Sequence, residues 1–334
     1  MKINCIIQVT CFSLILLAIG ILIHGDMPLK MVIEGLLLRV QGQSQVWNPL
    51  LDERLPRLII LICTGASLAV AGMAMQALFQ NPLASPGLLG ITSGGGLFAL
   101  IVFIFDLQSS YPFMLPMGTF LGCLLTLCLI YALAAWQYGM RLSNLILTGI
   151  AISTLFTAAQ AVILYALKDN WQFLQTMLEW ESGSTMDRTW QQVHMQMPLT
   201  LIGLFGCWYY RMELNILSLG EEEAKSLGVE VEQVRWRLFL CVALLVGGAL
   251  AAIGAIAFIG LILPHIARCL VGVDHRRLLP LCAVGGAAML ALLDLSLRFF
   301  ELYRVSIGNF SAIIGGCFFL YLLFQKQKTQ VDYL

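Results

Sequence analysis

Charge is scarce in this sequence. Only 11% of its 334 residues are Asp, Glu, Lys or Arg, whereas an ordinary soluble domain carries about 25%. The 19 basic and 19 acidic residues balance to a net charge of zero, so the chain lacks the basic excess that marks nucleic-acid binding. The composition therefore excludes a typical soluble domain and predicts no nucleic-acid partner.

Two kinds of chemical motif are also missing. The sequence contains no Gly-Lys dipeptide, and so no G-x-x-x-x-G-K-[S/T] loop that would hold the phosphates of ATP. Its ten cysteines form no C-x-x-C pair and have no neighbouring histidines at metal-ligand spacing. We therefore expect no ATP hydrolysis, no metal site and no bound cofactor on this chain itself.

Long apolar runs dominate what is present, since 59% of the residues are hydrophobic. A helix needs about 20 apolar residues to cross a bilayer, because its backbone groups must be satisfied within the segment. The pattern predicts an all-α polytopic membrane protein with ten transmembrane helices, or nine as the alternative count, in one domain over residues 1–334. The ten runs are 5–24, 57–79, 88–106, 113–135, 144–166, 197–211, 236–258, 259–272, 279–300 and 308–325.

The first run resembles a secretory signal but is too long for a signal core, and no small-x-small cleavage pattern follows it. It is predicted to remain as a membrane helix. Lys and Arg are enriched in cytoplasmic loops, and placing both termini in the cytoplasm puts eleven of the 19 basic residues inside. Lys30, Arg39, Arg54 and Arg57 are exceptions in the first outer loop, which suggests a use for positive charge outside.

The segment Arg54-Leu55-Pro56-Arg57 precedes the second predicted span. Arginines at a membrane edge can anchor to lipid phosphates. Alternatively, fixed guanidinium groups can bind carboxylates through two parallel hydrogen bonds, which suits a soluble partner that presents Asp or Glu. Both readings remain open from the residues alone.

A second segment, residues 75–96, contains two prolines that stop the second helix before a glycine-rich third one begins. This can be a tight cytoplasmic turn. Irregular backbone at membrane depth otherwise survives beside a water-filled cavity, so Gln76 and Asn81 are candidates for the inner mouth of a pathway.

A third segment, about 219–228, is predicted to be a short helix in a cytoplasmic loop. Its acidic start complements the helix dipole, and Gly228 suits the residue that closes it. So short a helix is marginal alone, which favours docking on another subunit. Contact with lipid is the alternative, but three successive glutamates disfavour an anionic leaflet.

A fourth segment runs from Phe258 to Pro280. Pro264 breaks its short span, and the following basic cluster favours a cytoplasmic loop. His265 fits a hydrogen-bonded structural residue better than a metal ligand.

With these four segments the sequence resembles the FecCD permeases of binding-protein-dependent ABC importers. The resemblance rests on RLPR, on the QNPLASPGLLG stretch, on the A-x-x-LG helix, and on FIGL-x-x-PH-x-x-R with DHRRLLP. It implies a type II importer bundle, a second permease subunit in a homo- or heterodimer, two cytoplasmic ABC ATPases that bind the ATP, and a periplasmic or lipoprotein substrate-binding protein. Family substrates are ferric siderophores, haem and vitamin B12, and the resemblance implies a location in the inner membrane of a bacterium.

The resemblance also assigns roles to residues. Arg54, Arg57 and Arg298 would dock the binding protein. The residues that would contact the ATPase are Gly220, Glu221, Ala224, Leu227 and Gly228, and those of the cytoplasmic gate are Gln76, Asn81, Leu83, Leu142 and Ser143. The family's E-L-P-x-G and G-A-P-x-F patterns are altered here, at 301–308 and 315–318, which leaves the role of the tenth helix in the pathway open.

Two other classes compete with this interpretation. An ion-coupled secondary transporter would need an ionisable group at mid-membrane, for which Asp294 is the acidic candidate. A membrane-embedded enzyme would need converging catalytic groups, and the four histidines provide no such set. Within the importer class the family resemblance implies a ferric siderophore, the more frequent cargo of the family, with vitamin B12 second because the stretch QALFQNPLASPGLLG is similar to that of B12 permeases.

Overall fold

A computed structural model describes residues 2–23, 33–35, 37, 41, 47–138, 142–186, 188–302 and 305–331, and this part of the chain contains helices and no strands. The helices are α1 (Lys2–Ile23), α2 (Leu55–Leu78), α3 (Ile91–Ile104), α4 (Met114–Tyr138), α5 (Leu142–Ala166), α6 (Trp171–Glu181), α7 (Trp190–Tyr209), α8 (Arg211–Leu217), α9 (Glu221–Ser226), α10 (Val231–Ile253), α11 (Ile259–Val271), α12 (His275–Phe299) and α13 (Ile307–Val331). A π-helical turn, Leu50–Arg54, leads into α2, and a 3-10 turn, Pro86–Leu89, precedes α3.

Each of the ten predicted spans coincides with one of these helices, which confirms the all-α membrane fold. In the part of the chain that the structure describes, six helices are long and apolar enough to cross a membrane: α1, α2, α4, α5, α10 and α12. Shorter apolar helices add α3, α11 and the apolar part of α13. The apolar side chains of α1 and α5 point mostly outward, as expected where the surroundings are hydrocarbon rather than water.

Helix α2 forms the centre of the bundle and is buried along nearly its whole length. Its Gly65 lies directly against the backbone of Gly286 in α12, and its Gly72 lies against the backbone of Gly260 in α11. A Cβ atom at either α2 glycine would overlap a carbonyl oxygen. Glycine therefore allows the helix axes to approach closely, as in other membrane bundles.

The main differences from the predictions are two helix boundaries and one additional helix. Helix α10 ends at Ile253 rather than at 258, because Gly254 has φ +94° and a non-helical stretch follows it. Helix α7 begins at Trp190, seven residues before the predicted apolar run, because Thr189 and Gln192 form a capping box there. Helix α6 was not predicted, since it is amphipathic rather than apolar.

The long helices separate two polar ends of the bundle. Helix α2 begins next to the last turn of α12, where Arg57 meets Asp294. At its other end, Gln80 contacts the last residue of α8. We call the first region, which contains Arg54, Arg57, Thr185, Asp294 and Arg298, the arginine end. The opposite region, which contains Gln80, Asn215, residues 220–228 and Asp274, is called the loop end.

Candidate functional site

The arginine end is organised around a buried ion pair. Arg57 in α2 and Asp294 in α12 are only 4% and 2% exposed, and the guanidinium of Arg57 donates to Oδ2 of Asp294. Thr185, in the loop after α6, donates its hydroxyl to Oδ1 of the same carboxylate at 2.7 Å. Asp294 therefore joins three segments of the chain, and its charge is paired with that of Arg57. A carboxylate held in such a pair does not suit the ionisable group of an ion-coupled transporter.

Arg54 has a different local partner. Its guanidinium donates to the carbonyl oxygens of Leu22 and Ile23, at 2.8 and 3.3 Å, and its side chain is buried. These carbonyls belong to the last turn of α1, where a cation also complements the helix dipole. Arg54 thus tethers α1 to the start of α2.

Arg298 is the member of the predicted docking set closest to the surface. Its side chain is 17% exposed, and its Nε lies 3.9 Å from Oδ2 of Asp294. The structure therefore brings Arg57 and Arg298 together on one carboxylate, with Arg54 directed towards α1. Docking of a partner on these three arginines stays a prediction.

A cavity of about 710 Å³ opens at the arginine end. Its charged lining comprises Arg57, Glu179, Arg188, Asp294 and Arg298. Three guanidinium groups and two carboxylates leave an excess of positive charge facing this space, which favours carboxylate-bearing ligands or partners.

A second cavity of about 460 Å³ lies beside the interrupted stretch between α10 and α11. Gly254 to Phe258 form one wall, and Ser182 lines both this cavity and the first one. Ser85, Pro86 and Gly87, which follow α2, also line it, so the space extends from the arginine end towards the loop end. Non-helical backbone at membrane depth is placed where it borders a cavity, as the physics of the bilayer requires.

The predicted gate residues do not all lie together. Gln76 is buried and donates to the carbonyl oxygen of Gly260 at 3.4 Å. Asn81 is exposed, and its Oδ1 accepts from the amide of Leu83, whose side chain is exposed as well. None of these three lines the 460 Å³ cavity, which is bordered by the residues that follow them. Their gating role stays a prediction.

The other two gate candidates begin α5. Ser143 is exposed at the first turn of this helix, and the side chain of Leu142 lies outside the described part of the structure. Their contribution to a gate likewise stays a prediction.

The predicted coupling segment is a helix, α9, held between two glycines. Gly220 has φ +142° and Gly228 has φ +80°, values that L-residues rarely adopt. Ala224 is fully buried, whereas Leu219 and Leu227 are exposed by more than 60%. The segment 219–228 therefore anchors Ala224 in the bundle and presents the leucines that flank α9 outward, a surface that fits a protein partner.

Two cations fix the start of α9. Glu221 accepts from Lys225 at 2.9 Å and from the buried Arg235 of α10 at 2.8 Å. Partial burial alone would raise the pKa of Glu221, but the hydrogen bonds and charges of Lys225 and Arg235 outweigh it, and the pKa lies below its ordinary value.

A further cluster at the loop end was not predicted. Asn215 of α8 contacts both Asp274 and His275, the residues that begin α12. The only signal in the sequence was the amide side chain of Asn215 within the apolar stretch Leu214–Leu217. Asn215 lies close to the DHRR motif in the fold but about 60 residues away from it along the chain. The pairing of Arg57 with Asp294 was also missed, for the same reason of distance along the chain.

No group of three or more His, Cys, Asp or Glu side chains that could hold a metal ion occurs among the described residues. His265 packs edge to face against the ring of Phe318, with centroids 6.2 Å apart. Its surroundings are thus those of an aromatic packing residue.

Comparison with known proteins gives consistent results. The profile of the FecCD transport family matches residues 9–325. The hemin transport system permease protein of Yersinia pestis is 37% identical over 333 residues, which cover 96% of each chain. The iron(3+)-hydroxamate import system permease protein of Bacillus subtilis is 37% identical, with 85% of each chain covered. A solved structure of a metal-chelate type ABC transporter in an inward-facing conformation superposes with a TM-score of 0.83 at 30% identity, over 96% of this chain and 99% of that chain.

Proposed function

Because this chain belongs to the FecCD transport family and is the multi-pass permease subunit of an ABC transporter rather than its ATPase, we propose that it imports an iron chelate, with a ferric siderophore as the preferred cargo. The family membership excludes the secondary transporter and the membrane enzyme as readings of this fold. A permease of this class requires a separate ATPase and a binding protein.

The observation that carries the proposal is the arrangement of two polar ends on shared helices. Helices α2 and α12 each run from the arginine end to the loop end. Between these ends lies the 460 Å³ cavity, beside a break in the helices. One end thus suits an acidic partner, the other presents a short helix to a second partner, and a cavity lies between them.

In the proposed mechanism the loop end faces the cytoplasm, with both termini on that side, in the inner membrane of a bacterium. A periplasmic or lipoprotein binding protein docks on the arginine end through its acidic residues. Two ATPase subunits bind ATP and close, and α9 carries their movement into the bundle. A second permease subunit, identical or related, completes the pathway, and access alternates between the two sides.

Haem is the second candidate cargo, favoured by the permease from Yersinia pestis that matches along nearly its full length. Vitamin B12 is the third, because the stretch from Gln76 to Gly90 resembles that of B12 permeases. All three are bulky chelates, so the helix bundle alone does not separate them.

Uptake by cells tests the proposal. A deletion strain complemented with the wild-type gene would be given ⁵⁵Fe-labelled ferric hydroxamate, haemin or ⁵⁷Co-labelled cobalamin in parallel. Uptake of the ferric hydroxamate that requires both this gene and ATP supports the siderophore. Restoration of haemin or cobalamin uptake alone reassigns the cargo, and uptake that persists without the ATPase gene refutes the mechanism.

A further inference from the structure

Helix α8 directly precedes the coupling helix, α9, and its one amide side chain contacts the start of α12. We propose that Asn215 is a positioning residue that links α9 to α12, so that a displacement of α9 reaches the helix that carries Asp294 and Arg298 at its far end. This inference rests on the proposed importer function and adds the route by which the coupling helix acts.

The contacts of Asn215 use both halves of its amide. Its Nδ2 donates to Oδ1 of Asp274 at 2.8 Å. Its Oδ1 accepts from the backbone N–H of His275 at 2.8 Å and lies 2.7 Å from Nδ1 of the imidazole ring of His275. A side chain with one donor face and one acceptor face fits this position, which neither a carboxylate nor a hydrocarbon can reproduce.

The partners of Asn215 define the start of α12. Asp274 is the N-cap of this helix and accepts from the amide of Arg276 at 3.0 Å. His275 is its first residue and is buried. A force applied at Asn215 therefore acts on the end of a helix of 25 residues, whose other end reaches the buried ion pair with Arg57.

The connection from α8 to α9 is short. Only Ser218, Leu219 and Gly220 separate the two helices, and the amide of Leu219 is bonded to the carbonyl of Ile216. Leu214 and Leu217 anchor α8 in the core. Because so few residues intervene, α9 has little freedom to move without moving α8.

A second contact leads from α8 towards the predicted gate. The side-chain amide of Gln80 donates to the carbonyl oxygen of Leu217 at 3.1 Å. Gln80 has φ +48°, a conformation that non-glycine residues hold only when contacts fix it. Helix α8 thus contacts both the start of α12 and the loop that ends α2.

The test exchanges donor and acceptor within the Asn215–Asp274 pair. Asn215→Asp removes the Nδ2 donor and places two carboxylates together. The double variant Asn215→Asp/Asp274→Asn restores one amide and one carboxylate with their roles reversed, and asparagine still caps a helix well. Asn170→Asp, at the N-cap of α6 on the opposite side of the bundle, is the matched control.

The complete importer, with ATPase and binding protein, would be reconstituted in proteoliposomes with ⁵⁵Fe-labelled ferric hydroxamate or haemin, whichever the wild type carries. The readout is cargo transported per ATP hydrolysed, which a purely structural defect would not change in complexes that assemble. Coupling between sites commonly corresponds to factors of about 5 to 150. We expect Asn215→Asp to lower the ratio about fivefold or more, and the double variant and Asn170→Asp to keep it near wild type.

A wild-type ratio in Asn215→Asp overturns the inference, and so does an assembled double variant that stays as uncoupled as the single one. If the double variant fails to assemble, Asn215→Ala decides, since it removes both contacts without adding charge. A wild-type importer that neither responds to loaded binding protein nor transports cargo would instead refute the proposed function.

Discussion

Arg57 and Asp294 are paired at the arginine end, and their side chains are only 4% and 2% exposed. Removing one partner of a buried pair leaves the other charge uncompensated, which commonly costs about 3–5 kcal/mol. We expect Asp294→Asn to lower the stability of the purified permease in detergent by about this amount, measured by thermal unfolding.

The control for this variant is Asp106→Asn, which makes the same chemical change in an exposed loop. Surface changes of this kind stay within about 0.5 kcal/mol. Equal effects of the two substitutions would contradict the importance of the buried pair.

Glu221 gives a pH prediction at the loop end. Its pKa is lowered from an ordinary value of 4.5, so its stabilising contacts are complete above that value and are lost as the pH falls through the lower, folded-state pKa. After correction for intrinsic rates, the rate of amide hydrogen exchange of residues 219–228 should not change with pH above pH 5. The corrected rate should rise in strongly acid solution. Glu221→Gln should give fast exchange at every pH; a wild-type profile in that variant would exclude these contacts.

Among the elements, α9 depends on its two flanking glycines for different reasons. A Cβ at Gly220 would overlap only the carboxylate of Glu223, the end of a flexible side chain that can move away, and one at Gly228 meets no atom within 4 Å. Gly220 has φ +142° and ψ 158°, a conformation that is essentially restricted to glycine and costs an L-residue about 1–3 kcal/mol, whereas Gly228 has φ +80°, nearer the left-handed region that L-residues can reach.

Gly220→Ala should therefore reduce ATPase association and transport more than Gly228→Ala does. Pull-down of the ATPase by the purified permease, followed by transport in proteoliposomes, measures both effects. Equal losses in the two variants would show that the backbone conformation of Gly220 is not limiting.

The elements also show what sequence alone provides. Apolar length located ten helices, because backbone satisfaction in hydrocarbon leaves few alternatives. It could not locate the break after Ile253, since Ala255, Ile256 and Ala257 are as apolar as the helix before them. The length of apolar runs also failed to predict α6, because this helix is amphipathic. Motifs predicted the candidate residues, but the partners Asn215 and Thr185 could not be found without the fold, because they lie far along the chain from what they bind.

For the whole molecule, the arginine end should make docking electrostatic. Arg298 is partly exposed beside a cavity with an excess of positive charge, so Arg298→Glu should weaken binding of the binding protein and reduce the salt dependence of its affinity. Arg298→Lys keeps the positive charge but loses the planar guanidinium fork. Its affinity for the binding protein should lie between that of the wild type and that of Arg298→Glu. Binding to immobilised binding protein at low and high salt provides the measurement, and unchanged affinity in Arg298→Glu would argue against docking there.

The cavity beside the stretch from Gly254 to Phe258 is lined mostly by apolar residues, and Glu181 is the one charged residue among the described residues that line it. Such a wall has few features by which to recognise one chelate and reject another. A bacterium could thus acquire a new source of nutrient by exchanging the protein that captures it, while this conduit stays unchanged.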